Sequence, residues 1–162
     1  VSHLGLSNYT MQFTSFDADL FFDANSPDRS TVTATIYTGS IQTNYPYASE
    51  KDFDKELSTS SMWFNTSVFP TANFTSQSIK ITGPNTGIIH GELTFLGITQ
   101  PLSLDVKFNG GFVEKPFVGV PALGFSATTT LKRSEWKLDS YIPAIGDAVQ
   151  IQIEAEFHKK PN

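Results

Sequence analysis

"HGELTFLGITQPLSLDVKF", residues 90 to 108, holds two alternating runs on either side of Gly97-Ile98-Thr99-Gln100-Pro101. On the second run Leu102, Leu104, Val106 and Phe108 share one parity, and Ser103, Asp105 and Lys107 share the other. That is the period of a strand wet on one side. On the first run Leu93 and Phe95 point one way and His90, Glu92 and Thr94 the other. Gly97 tolerates the reversed backbone that a tight turn needs, and Pro101 removes a donor where a strand is just starting. The stretch therefore predicts a β-hairpin with one apolar face, and the fold turns on what that face covers.

The same alternation recurs along the chain. It predicts strands near 10–23, 30–44, 72–82, 87–96, 101–112, 121–132 and 147–158, seven in all. The cleanest are the last two, with Leu123, Phe125, Ala127, Thr129 and Leu131 on one face and Val149, Ile151, Ile153, Ala155 and Phe157 on another. In the first, Met11 and Phe13 differ in parity from Phe16, Ala18, Leu20 and Phe22, which implies a bulge near Thr14-Ser15. A similar slip separates Phe74 from Ile79 and Ile81. Turn residues in "NSPDRS" (25–30) and "GPNTG" (83–87) join neighbouring strands as a meander. Only "EKDFDKELSTSSMWFN" (50–65) departs from period two. There Phe53, Leu57 and Phe64 recur at helical spacing, with acidic residues early and Pro70 barring continuation, so one or two short helices should follow the second strand.

Composition narrows the function. With 162 residues the chain fits one domain with a single core. It has no Cys, which removes disulfides, thiolate metal sites and cysteine nucleophiles together. The 16 acidic and 11 basic residues give a net charge of -5, and no basic cluster exceeds Lys159-Lys160, so nucleic acid is not an expected partner. No apolar run reaches the ~20 residues of a transmembrane helix. The 14 Phe suit either an aromatic β-core or a lined cavity.

Chemistry-bearing motifs are scarce. His3, His90 and His158 sit in no catalytic or metal-ligand motif, and His90 with Glu92 supplies two neighbours on a polar face where zinc wants three or four ligands. No Gly-x-Ser-x-Gly occurs. No catalytic residue, metal site or cofactor is assigned. "RSEWKL" (133–138) joins Arg133 to Trp136 just past a strand, as a loop Arg stacked on an aromatic or as a rim residue guarding a pocket.

Five segments together resemble the YceI-like, polyisoprenoid-binding family. "GELTFLGITQPLSLDVKFNG" is similar to the family's glycine, Leu-Thr, Gly-Val-Thr-then-Pro hairpin, "SIQTN" to its Ser-Ile-Asp-Thr, and "RSEWKL" to its Arg-Ser-Asp-Phe-Gly-Leu. "KELSTSSMWFNTSVFPTANFTS" resembles the helical segment ending in a Pro and a Phe-x-Ser strand, and "SHLGLSNYTMQF" the opening His-Leu. The chain departs from the pattern at Gln42, at Leu96 and at Glu135-Trp136-Lys137.

The resemblance implies an all-β fold, an eight-stranded antiparallel barrel of lipocalin type, spanning 1–162 as a single domain. Seven of its strands are visible here, and the family's first strand would lie upstream of residue 1. Another molecule could supply the pairing edge, in a homodimer for instance. An isoprenoid chain, as in a quinone or polyprenol, would lie inside for binding, carriage or storage. The lining expected is Val32, Ile36, Phe74, Phe95, Leu104, Val106, Phe125 and Ile151, with Trp63, Phe64 and Trp136 at the ends and Arg133 and His3 as candidates for the head group. The alternatives are an enzyme acting on a hydrophobic molecule in the barrel, or a solid β-domain serving as an interaction module. The resemblance further implies export, commonly to a bacterial periplasm, although no signal segment lies within these residues.

Overall fold

The computed structural model describes residues 1–160. Its strands in chain order are β1 (Ser2–His3), β2 (Ser7–Asn8), β3 (Gln12–Phe13), β4 (Phe16–Phe21), β5 (Thr31–Tyr37), β6 (Ile41–Gln42), β7 (Thr71–Gly83), β8 (Thr86–Phe95), β9 (Ile98–Phe112), β10 (Ala122–Lys132) and β11 (Ala148–His158). One α-helix, α1 (Phe53–Thr59), lies between β6 and β7. Seven strands form one antiparallel sheet in the order β11-β10-β9-β8-β7-β5-β4. The sheet curls into a half-barrel, the lipocalin-like architecture expected. No described helix is long and apolar enough to cross a membrane.

The quoted hairpin is β8 and β9, paired from Thr86↔Lys107 to Phe95↔Ile98. Leu96 and Gly97 both have positive φ, 49° and 74°, which closes a two-residue turn of the primed type whose twist matches the strands. A side chain at Gly97 would also meet Phe69 Cε1 at 2.9 Å. The slip expected after Phe74 is a bulge between Ser76 and Ser78. The one expected at Thr14-Ser15 is a larger event. There the chain leaves one sheet for another, because β3 pairs with β6 (Gln12↔Gln42) while β4 pairs with β5.

Two ends result. At one lie the turn between β8 and β9, α1, and the segment from Arg133 to Asp147. This end is plugged. Ile41, Leu57, Phe64 and Leu138 are buried together there, with Phe13, Phe53, Trp63, Phe95 and Leu96 packed around them. The helical stripe read from Phe53, Leu57 and Phe64 supplies three of these side chains. Asp52 caps α1 by accepting from the Lys55 N–H at 3.0 Å, and the Asp54 carboxylate accepts from the Thr43 N–H at 2.9 Å, which fixes the helix to the end of β6.

At the other end lie the β4–β5 connection, the turn from Gly83 to Thr86 and the long loop between β9 and β10. The outer edges of β4 and β11 approach here without pairing. Lys160 reaches the Asp19 carboxylate across the gap, and a cleft of about 600 Å³ separates Ala18, Leu20 and Thr33 from Glu156, Phe157 and His158.

Candidate functional site

Each strand of the curled sheet sends alternate side chains to its concave face, and along β5, β7, β8, β9, β10 and β11 those positions are largely aliphatic or aromatic. Near the plugged end they converge on Trp136, which is 1% exposed and donates from Nε1 to the Leu93 carbonyl at 3.3 Å. Phe74, Leu93, Leu104 and Ala127 are buried with it, and Val32, Ile89, Phe95, Val106 and Ile153 pack against the group while remaining partly exposed. Gly91 makes room for this layer, because a Cβ there would stand 2.6 Å from Phe74 Cζ.

Toward the open end the concave face becomes aromatic. Phe108 and Phe125 have ring centroids 5.3 Å apart, and Phe125 meets Phe157 at 6.0 Å. Phe22, just past β4, crosses from the far edge of the sheet to within 6.3 Å of Phe108 and 6.2 Å of Phe125. None of these four rings is fully buried. The accessible surface of 10461 Å² exceeds the roughly 8,000 Å² of a compact monomer this size. A concave wall that stays half-exposed contributes to that excess. The site is a trough with an apolar floor, one closed end and one open end.

The trough gathers most of the residues expected to line it. Phe74 and Leu104 are buried in its floor, while Val32, Ile36, Phe95, Val106, Phe125 and Ile151 are half-buried on its wall. Phe64 and Trp136 belong to the plug. Trp63 is half-buried beside that plug and stacks on Tyr141, ring centroids 6.0 Å apart. Phe22, Phe108 and Phe157 were not singled out as lining, although the parity that marked Phe125 and Leu104 marks them too.

Two expected head-group residues are placed otherwise. Arg133 is 4% exposed, and its guanidinium donates to the carbonyls of Gly146, Leu138, Ser140 and Ile145. Burial pulls its pKa down while Asp147 and Asp139 oppose that. With four of five N–H groups spent on backbone, it organises the segment leading into β11 rather than greeting a ligand. His3 is exposed on β1, bridged to Ile145 at the plugged end and outside the trough. His90 likewise faces outward, its Nδ1 2.8 Å from the Ser103 hydroxyl. Among the described residues no group of three or more His, Cys, Asp and Glu is placed to hold a metal ion.

Comparison with known proteins agrees with this geometry. A family model described as YceI-like domain matches residues 1–157. A UPF0312 protein of Ectopseudomonas mendocina is 35% identical over 156 residues, covering 96% of this chain and 78% of that protein. One of Pseudomonas putida is 33% identical over 136 residues, 84% of this chain and 67% of its own. Among solved structures, a Campylobacter jejuni YceI protein superposes with a TM-score of 0.84 at 25% identity, over 99% of this chain and 91% of that one. Burkholderia cenocepacia BcnA superposes at 0.77 with 20% identity, over 91% of this chain and 86% of its own, a likeness of fold.

Proposed function

The chain belongs to the YceI-like family, and from that premise we propose that it binds a long apolar isoprenoid lipid, of quinone or polyprenol type, along the trough. The observation that carries this reading is the half-exposed apolar wall of Val106, Phe108, Phe125, Ile151 and Phe157. Water in contact with such a surface is displaced favourably by any apolar chain that fits, at about 25 cal/mol per Å² buried.

Carriage or storage fits this wall better than turnover. The titratable side chains of strands β8, β9 and β11, among them His90, Glu92, Asp105, Lys107 and Glu154, alternate with the lining residues and so point away from the trough. A reaction inside would need an acid, base or nucleophile on the concave face. Carriage in the periplasm is part of the proposal and rests on the family alone.

Organic extraction of the purified protein followed by mass spectrometry tests the reading. A prenyl lipid recovered in near-stoichiometric amount is expected. Failure to recover one, together with failure of the protein to take up an added prenyl quinone, would overturn it.

A further inference from the structure

The connection between β9 and β10 is much longer than a hairpin needs, and its tip is apolar: "GFVEKPFVGVP", residues 111–121. Val113 is 91% exposed and Phe117 108%, and Phe112 and Val118 are exposed beside them. No core contact explains these side chains. The loop is nonetheless built. The Lys115 N–H donates to the Val120 carbonyl at 2.9 Å, and the Lys115 carbonyl accepts from the N–H groups of Val118 and Gly119 at 3.2 and 2.9 Å. The Lys115 ammonium pairs with Glu156 on β11, and the Lys159 N–H holds the base of the loop through the Pro121 carbonyl. These bonds hold the turn from Lys115 to Val120 in one shape while its apolar side chains face solvent.

Two observations select the receiver. First, size: four side chains of this kind offer a few hundred Å², well short of the ~800 Å² per partner of a stable protein interface. Second, position: the loop stands at the open end of the trough, where any occupant must pass, although the bulge between Phe108 and Gly110 turns Phe112 to the face opposite Phe108.

We propose that the Val113–Val118 loop is a membrane-docking tip: it inserts Val113, Phe117 and Val118 into the interfacial region of a lipid bilayer and sets the open end of the trough against the membrane. The proposal rests on the isoprenoid-binding reading, since a lipid so poorly soluble in water must enter and leave from a bilayer. Docking spares it an aqueous step.

Flotation with phosphatidylcholine–phosphatidylglycerol vesicles tests it. The wild-type protein is expected to float with the vesicles. The Val113→Ser/Phe117→Ser double variant should lose about tenfold or more of that binding. The Met62→Ser/Val68→Ser pair, also exposed (50% and 61%) but at the plugged end, should keep it. Because the chain has no Cys, Val118→Cys carries a single environment-sensitive dye, and its emission should shift to the blue on vesicles. Absence of wild-type flotation, equal flotation of the two double variants, or loop-dependent self-association in place of vesicle binding would each overturn the proposal. Binding of a short-chain prenyl quinone in vesicle-free buffer is measured alongside. The loop variant should match the wild type there, so quinone binding without flotation sinks the docking tip alone, and flotation without quinone binding sinks the carrier alone.

Discussion

Arg133 donates to four backbone carbonyls between Leu138 and Gly146, and no other described side chain organises so much of the chain. Arg133→Ala should therefore cost roughly 3 kcal/mol, because buried acceptors are left without donors. Arg133→Lys should recover less than half of that, since an ammonium has fewer donors and no fork. Chemical denaturation measures both. Unchanged stability in Arg133→Ala with weakened quinone binding would restore the head-group role. The neighbouring Asp147 carboxylate is held below its usual range, first by the Ser134 N–H at 2.9 Å, then by the Ser134 hydroxyl and by Arg133 and Lys132. A depressed native pKa favours the folded state above the unfolded value, here 3.8, and that contribution disappears as pH falls through the native one. Below about pH 4 the wild type should thus lose melting temperature more steeply than Asp147→Ala. None of this was legible beforehand. "RSEWKL" announces an Arg beside a Trp, but the carbonyls it collects come from loop geometry that no local pattern encodes.

Among the elements, β10 and β11 were the most legible and prove the most regular, paired without interruption from Ala122↔His158 to Lys132↔Ala148. Their alternation is clean because one face meets the trough and the other water. The first expected strand is divided instead, for a tertiary reason: the parity change at Thr14-Ser15 marks the point where Gln12-Phe13 is drawn to Ile41-Gln42. Sequence showed the discontinuity and not the partner. The hairpin of β8 and β9 depends on small residues at fixed places. Gly91→Ala would put a Cβ 2.4 Å from the Thr75 carbonyl oxygen as well as against Phe74, so it should destabilise by about 1–3 kcal/mol. An unchanged melting temperature would show that β7 and β8 are less closely apposed. The edges of β4 and β11 carry unpaired backbone groups along the cleft. Their cleft-facing amides should exchange with deuterium on the order of a hundredfold faster than those at the centre of β8 and β9. Equal protection would mean that the sheet closes in solution.

For the molecule as a whole, the question posed by residues 90–108 was what the apolar face covers, and the answer is a trough only partly filled by its own side chains. The inner face and most of its lining could be read from parity. Whether it was solid could not, because the same Phe fills a core or coats a wall, and the difference is set by curvature and by residues far apart in sequence. Phe22 shows this best: its parity was visible, its crossing to Phe108 and Phe125 was not. Val106 probes the interior most directly. It stands half-buried on the concave face between Gly87 and Ala127 on the neighbouring strands, at the margin of the buried layer around Trp136. The decisive measurement is the Val106→Phe variant, with stability determined without ligand and affinity for a prenyl quinone determined by fluorescence quenching. The account predicts stability within about 1 kcal/mol of wild type and affinity reduced about tenfold or more. A loss of roughly 1–3 kcal/mol from overpacking, with quinone affinity unchanged, would contradict it.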